Sequence, residues 1–573
     1  MFAARKLATH RQLKIYAASL CGLIAIFVFF HWTRWLCRRA DRSMKRGHGS
    51  LFGRPFVRGS RMIRNILIRK IPGFKSAGHA LLITTFVAIN LTITFTNLDT
   101  SSNTTIASRF AWMALANLVF VIFLALKNTP LAFLTAYSYE RLNCLHQIAG
   151  LMVFGYIVVH ASLYTDYFNS SGRLATKYSD RNMIAAIVAG FSVLSGIFSA
   201  LVLRRIWYEL FYVVHIASWM SALVAIGLHQ PDFGKGLILT VLAGSLWSAD
   251  RLLRAGRIAM HAVNNSATLH PLPNGGTKIV LKKAPSRAAA GKHCFVWIPA
   301  IRRFETHPFT IHGTGPVEFT VKAQDGFTRD LHKYATENPG VAVRASVDGP
   351  YGTFPDPMEF DKVVLIAGGG GATFTFGLAV NVLERLGGDG EAAGKKIVFV
   401  WAVQKHENLS WFKSQLDLLK SHAHAQHIDI SLYVTQAVAQ DATAPSSSSQ
   451  YSLNDSSASS PTSPTDGEKA ASSFPPPMTE KDLETAVIET HHKEAPMTTT
   501  STSTTEHGRE VKQGRPDVAG LIRAAIETTP ANQRVLVAAC GPAGLMRTVR
   551  NTSAQGIRGG GAGVEVHLEE FGW

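Results

Sequence analysis

The chain has 573 residues, 47% of them hydrophobic and 17% charged, with a formal net charge of +19. That length exceeds one ordinary domain. Five scattered cysteines with no CxxC pair exclude a disulfide framework or a cysteine-built zinc site. The placement of the charge argues against a nucleic-acid partner. Thirteen Lys and Arg lie between Arg34 and Lys75, with Asp41 the only acid, directly after an apolar run.

Seven apolar segments occur near residues 13–35, 78–98, 108–126, 145–164, 183–203, 207–228 and 235–253. Each is long enough to cross roughly 30 Å of hydrocarbon. The first reads as a retained span rather than a signal peptide, because Trp32 and Trp35 follow it like an interfacial belt and no small-residue cleavage site is evident. Loop charge sets the orientation. The 34–75 loop, the loops with Lys127, Arg141, Arg204 and Arg205, and the exit with Arg251, Arg254 and Arg257 fall on the cytoplasmic side. The 99–107 and 165–182 loops fall outside and carry N-glycosylation sequons at Asn103 and Asn169.

Two spans share an unusual pattern. "HQIAGLMVFGYIVVH" (146–160) and "HIASWMSALVAIGLH" (215–229) each place a histidine at both ends of an apolar run. Fourteen residues of helix cover ~21 Å and rotate about 1400°, about 40° short of whole turns. Both imidazoles of a helix therefore leave from nearly one face. On two parallel helices this gives facing pairs, His146 with His215 near the cytoplasmic surface and His160 with His229 near the outer one. Facing imidazoles at membrane depth suit the two axial positions of a haem iron. The small residues Gly150, Gly155, Ala217, Ser218 and Ser221 are expected to let a flat macrocycle approach the backbone. His31 and His79 have no such partners and read as interfacial. Arg141 and Arg204 read either as partners of haem propionates or as positive-inside charges.

Beyond residue 260 the pattern becomes soluble. "TKIVLKK", "HCFVWIP", "EFTVKA" and "VAVRASVDG" read as strands of an antiparallel barrel. "KVVLIAGGGGATFTFGLAVNVLERL" followed by "KIVFVWAV" reads as a βαβ unit of an open parallel sheet, with "IDISLYVT" and "RVLVAACGP" as further strands. Residues 440–516, rich in Ser, Thr and Pro, read as a disordered insertion. The expected organisation is thus 1–77 (span and basic loop), 78–257 (haem-type transmembrane domain), 262–356 (β-barrel) and 360–573 (α/β dinucleotide domain). Gly326 and Thr328 stand at an expected helix start, whose free N–H groups suit a pyrophosphate. The glycines of "AGGGGATFT" (367–375) allow close approach of a dinucleotide phosphate.

The ordered set of the double histidine pairs, "SYERLN" before His146, "HPFT", "GFT", "GPYG", "AGGGGATFT", "CGP" and the final "EEFGW" resembles the fungal ferric reductase family, within the wider group of ferric reductases and NADPH oxidases. The resemblance spans nearly the whole chain except 1–75 and 440–516. It implies a seven-span bis-haem bundle followed by a ferredoxin-reductase-like module. It implies FAD binding by His307, Pro308, Phe309, Thr310, Gly326, Phe327 and Thr328, with Trp573 beside the flavin. NADPH would meet Gly368, Gly369, Gly370, Gly371, Ala372, Thr373, Cys540, Gly541 and Pro542, and two b-type haems would sit on His146, His160, His215 and His229. The implied activity is transfer of electrons from cytosolic NADPH through FAD and the haems to extracellular ferric chelates, with Cu(II) as a further acceptor. Superoxide production by an NADPH oxidase is the alternative. A plasma membrane location, with the vacuolar membrane second, lipid contact and an iron permease or oxidase partner follow from the same resemblance. The chain departs from the family where an Arg often follows the "WAV" strand. Gln404 and Lys405 stand there, and Lys405 can act as a point charge toward a 2′-phosphate.

Overall fold

The computed structural model describes residues 2–44, 53–230, 234–386, 394–436, 504–506, 509–557 and 561–569. Its helices, in chain order, are α1 (Phe2–Met44), α2 (Gly53–Ile68), α3 (Ala77–Phe95), α4 (Asn103–Ala125), α5 (Leu131–Thr135), α6 (Tyr139–Ser170), α7 (Leu174–Tyr178), α8 (Arg181–Phe198), α9 (Arg204–Ile206), α10 (Tyr208–His229) and α11 (Lys235–His261). Seven of the described helices are long and apolar enough to cross a membrane: α1, α3, α4, α6, α8 continued through α9, α10 and α11. These are the seven segments expected from the sequence. Small caps set their starts: the Ser76 side chain accepts from the His79 amide at α3, and Asp180 accepts from the Asn182 amide at α8.

Inside the bundle α6 packs along α4, and α10 packs along α8. The α3/α4/α6 core contains Phe86, Phe110, Met113 and Tyr156 around a polar chain. Tyr16 donates to Asn117 (2.8 Å), Asn117 to Asn90 (2.7 Å), and Tyr156 lies 3.0 Å from the Thr94 hydroxyl. In hydrocarbon each such group needs an internal partner, and these four helices supply them to one another.

Two antiparallel sheets follow. One is ordered β5 (Gly313–Thr314), β6 (Val317–Lys322), β2 (Gly276–Leu281), β1 (Ser266–Leu272), β7 (Ala342–Arg344), and the other β4 (His307–Thr310), β3 (His293–Trp297), β8 (Ser346–Tyr351). They share one core, which includes Leu269, Val296, Phe319, Val347 and Phe327 of α12 (Phe327–Glu337). The run "VAVRASVDG" is not the single strand expected from its composition. It breaks at buried Ala345 and passes from the first sheet into the second, so the barrel is two sheets joined at a corner.

The last unit is a seven-stranded sheet, ordered β12 (Thr504–Glu506), β13 (Arg509–Gln513), β11 (Ile428–Val434), β10 (Lys396–Val403), β9 (Lys362–Gly368), β14 (Arg534–Cys540), β15 (Gly563–Glu569). All pairs are parallel except β12 with β13. Helices α13 (Ala372–Leu386), α14 (Lys413–Ser421), α15 (Val518–Glu527) and α16 (Ala543–Gly556) accompany it. The expected 440–516 insertion is too long at its end. Residues 509–513 form β13, with Val511 fully buried and paired to Leu432. One inward apolar residue in a five-residue strand leaves almost no alternation to read. The expectation for 440–503 lies outside the described residues.

Candidate functional site

The four histidines of α6 and α10 are held in the same way. The Nδ1 of His146 is 3.0 Å from the Val121 carbonyl, that of His160 is 3.0 Å from Ala107, that of His215 is 3.1 Å from Gly196, and that of His229 is 2.9 Å from Asn182. A carbonyl only accepts, so each Nδ1 carries the proton and each Nε2 keeps its lone pair. This is the tautomer a metal-ligating imidazole adopts when its other nitrogen is oriented by a backbone carbonyl. The carbonyls repeat the spacing of the imidazoles: 121 − 107 = 14 on α4 and 196 − 182 = 14 on α8. Two antiparallel helix pairs, α4/α6 and α8/α10, therefore carry the same ladder.

The His146 and His215 rings face each other with centroids 6.5 Å apart. Two imidazoles bonded to one metal from opposite sides, each with N–metal near 2.0–2.1 Å, have centroids about 6 Å apart. The residues present therefore fit a bis-imidazole iron site. A π-helical turn, Ser199–Leu203, follows Gly196 and brings the Ser199 hydroxyl 3.4 Å from the same His215 Nδ1. An apolar layer of Leu118, Ile122, Val153 and Ala243, with Trp219 and Trp247 packed against it, lies between the two histidine levels.

The expected small-residue cradle is only partly correct. Gly150 lies near the histidine face, with open space where a Cβ would stand. Gly155 is nine residues past His146, about 180° around the helix, and exposed on the other side. Ser218 and Ser221 hydrogen-bond to Ser195 (2.9 Å) and Ser192 (3.1 Å), so they tie α10 to α8 instead of lining an opening.

In the two-sheet unit, "HPFT" and "GFT" meet. The His307 ring stacks on Phe327 at 4.3 Å with a 17° interplanar angle, and Phe309 stacks on the same ring at 6.2 Å. Burial lowers the His307 pKa, opposed by Glu305, whose carboxylate is 3.1 Å from Nε2. Gly326 adopts φ +62°, a left-handed conformation that only glycine takes easily. The α12 start already holds an anion: the Phe327 amide donates to the Glu209 carboxylate (3.3 Å) of α10. The Thr328 hydroxyl is committed to Asp325 and Gln324.

In the parallel sheet, chain order runs outward from β9 in both directions, through β10 and β11 on one side and β14 and β15 on the other. The boundary between β9 and β14 is the topological switch point, where open α/β sheets bind ligands beyond the strand ends. Gly368–Thr373 and Cys540–Pro542 are the loops at that point. They nearly touch: a Cβ on Gly371 would come 2.2 Å from the Cys540 carbonyl, and one on Gly368 would meet Pro542 at 2.6 Å. The Trp401 indole donates to the Gly369 carbonyl (3.1 Å). Lys405 follows β10, the next strand. Trp573 lies outside the described residues.

The structure adds a polar junction that sequence reasoning missed. The exit of α11, the 126–140 segment and the two-sheet unit converge on Asp348, which is fully buried. Asp348 pairs with Arg254 and, at 2.8 Å, with Arg257, and accepts from the Tyr351 hydroxyl at 2.9 Å. Nearby, His293 Nε2 lies 2.9 Å from Glu140 and 3.1 Å from the Tyr139 hydroxyl. Arg141 reaches His567 of β15 (3.2 Å), so its guanidinium meets the last strand of the dinucleotide unit, not a propionate partner. The "SYER" tip of α6 thus touches both soluble units through Tyr139, Glu140 and Arg141, five to seven residues before His146. Arg109, also missed, is buried and caps the end of α3 through the carbonyls of Thr96 (3.1 Å) and Asn97 (3.3 Å).

Comparison with known proteins agrees with this division of the chain. Residues 110–226 match the ferric reductase like transmembrane component, 261–354 an FAD-binding domain, and 360–554 the ferric reductase NAD binding domain. The chain belongs to the ferric reductase family. "Ferric/cupric reductase transmembrane component 2" of Saccharomyces cerevisiae is 26% identical over 70% of this chain and 56% of its own length. "Ferric reductase transmembrane component 4" of the same organism is 25% identical over 81% and 62%. "Probable cell surface ferric reductase kap2" of Aspergillus oryzae is 27% identical over 58% and 48%. The chain spans about half the length of the curated relatives it matches.

Proposed function

We propose that this protein is a multi-pass membrane oxidoreductase that uses cytosolic NADPH to reduce ferric chelates, and Cu(II), on the far side of a cell-surface membrane in support of iron uptake. The observation that carries this reading is the repeated ladder: four imidazoles on two helices, each tied through Nδ1 to a backbone carbonyl and each keeping Nε2 as a lone-pair donor. The names of the ferric/cupric reductase relatives supply the acceptor class.

When bound, FAD and two b-type haems would turn a two-electron hydride donor into single electrons and carry them between the membrane faces. The protein's part is positional. His146 with His215 would hold one iron and His160 with His229 the other. His307 and Phe309, stacked on Phe327, would line the flavin site together with Pro308 and Thr310. Gly368–Thr373 and Cys540–Pro542 would admit the pyrophosphate of the nicotinamide dinucleotide, and Lys405 would meet a 2′-phosphate. No side chain is required to move a proton at a reacting atom. Asn103 and Asn169 are glycosylation sites in this orientation, and an iron permease is the partner class that would receive the product.

The test is anaerobic NADPH-driven Fe(III) reduction by the purified protein, together with its dithionite-reduced spectrum. A b-type band and oxygen-independent reduction are expected. His215→Ala should lower the reduction at least about a hundredfold and remove about half of the band, since it deletes a ligand and not an outer-sphere partner. A spectrum without a b-type band would overturn the haem assignment. Turnover that requires oxygen would replace the reductase with an NADPH oxidase.

A further inference from the structure

Helix α2 lies between the first two spans. Leu67, near its end, abuts Gly78 at the start of α3, where an added Cβ would sit 3.2 Å from the Leu67 carbonyl. The end of α2 is therefore level with the point where α3 enters the membrane. One side of α2 is docked on the dinucleotide unit. Arg61 donates to the Gly561 carbonyl at 2.6 Å, Asn65 to the Ile557 carbonyl at 3.0 Å, and Arg64 pairs with Glu565 at 3.5 Å. Met62, Ile63 and Ile66 project from the opposite side, 69%, 58% and 56% exposed. A soluble helix with one face docked would have no reason to present three large apolar side chains on the other. The surrounding 34–75 segment holds thirteen basic residues and one acid. An apolar face flanked by Lys and Arg at the membrane boundary is the signature of an interfacial helix.

We propose that the Met62/Ile63/Ile66 face rests in the headgroup region of anionic phospholipids, making α2 a strut between the lipid surface and the dinucleotide-binding domain. The inference rests on α3 being a membrane span and is independent of the electron acceptor. Arg61, Asn65 and Arg64 hold the domain, while the apolar face holds the bilayer. The NADPH-binding half is thereby fixed at the surface by a route separate from the junction at Asp348.

The experiment uses the full chain in nanodiscs of phosphatidylcholine, with and without phosphatidylserine. Ile66→Cys is labelled with a charged maleimide, with Ser421→Cys at the exposed end of α14 as the reference and the parent as background. Labelling at position 66 should be at least about fivefold slower than at 421 in phosphatidylserine discs, with added salt relieving part of the protection, because each basic residue near an anionic surface contributes about that factor. Equal rates at the two positions would overturn the proposal. Protection that persists in a lipid-free amphipol would also overturn it, by assigning the face to another segment or a second copy. Should Ile66→Cys fail to fold, amide exchange across residues 59–68 of the parent decides: slower exchange with phosphatidylserine supports the strut, and identical exchange rejects it. NADPH-driven Fe(III) reduction by the parent in the same discs tests the proposed function separately.

Discussion

The two halves of the molecule place the same residue types in opposite positions. In the bundle, Phe191, Val213, Val224 and Leu228 point outward, 64–68% exposed. In the dinucleotide unit, Phe374, Phe376, Phe399, Trp401 and Phe412 are almost completely buried. The difference is the solvent. Lipid gives an apolar side chain no reason to turn inward, whereas water does. In the bundle, groups that lipid cannot satisfy (Asn90, Asn117, Arg109 and the four histidines) turn inward and take places among apolar core residues such as Phe86 and Met113. The informative residues of a membrane sequence are its polar exceptions, and those of a soluble domain are the glycines and polar turns that interrupt its apolar runs.

That contrast breaks most sharply at the junction, where a buried charge cluster sits between the halves. Asp348→Ala leaves Arg254 and Arg257 without their carboxylate, a loss of about 3–5 kcal/mol for a broken buried pair. The expected outcome is a much lower unfolding midpoint and protease cleavage near residues 126–138. An unchanged midpoint would mean that the halves dock without this cluster. Within the soluble half, Gly371→Ala forces a Cβ against the Cys540 carbonyl, at about 1–3 kcal/mol of strain. KM for NADPH should rise about tenfold while the oxidised flavin spectrum stays the same. A spectrum that changes along with KM would place the loop at the flavin instead.

Burial, helped by Lys278, pushes His312 down to about 3 from its usual 6.5. Its Nε2 lies 2.9 Å from the Thr320 hydroxyl, and Gln415 of α14 is 3.3 Å from Nδ1. Below pH 6.5 the unfolded chain takes up a proton that the folded chain refuses. The stability this group contributes is therefore complete above pH 6.5 and is lost as pH falls toward 3, by up to about 1.4 kcal/mol per pH unit. His312→Gln should flatten that slope in urea titrations of the detergent-solubilised protein. A slope that does not change would assign the acid sensitivity to other groups. The smallest effect separates two glycines. Gly155→Ala should leave the content of the proposed haems intact, while Gly150→Ala, on the histidine face, should lower it. Equal effects would mean that the face assignment on α6 is wrong.

Much of this was legible in the sequence because it is periodic. The seven spans, the two histidine pairs and the βαβ unit all repeat at a fixed interval or alternate along it. The junction was not. Arg254 and Arg257 read as positive-inside charges, and Asp348 read as part of a barrel strand, because nothing in a linear pattern says that residues 94 positions apart share one buried carboxylate. The "SYER" tip stood out by resemblance, but its contacts to His293 and His567 depend on how separate units dock. The corner at Ala345 and strand β13 were hidden for a local reason: each interrupts or shortens a pattern that has to run several residues before it can be seen.

The ladder also limits which changes of length the bundle tolerates. One residue inserted between Ala107 and Val121 would shift one carbonyl by about 1.5 Å and rotate it by about 100° while the other stayed in place. Whichever register the helix then chose, one histidine would lose its anchor. The same holds between Asn182 and Gly196, and within each histidine span. These four stretches are fixed-length parts, in which side chains can be exchanged but residues can be neither added nor removed. The connecting segments at 96–102 and 171–180 carry no such register constraint.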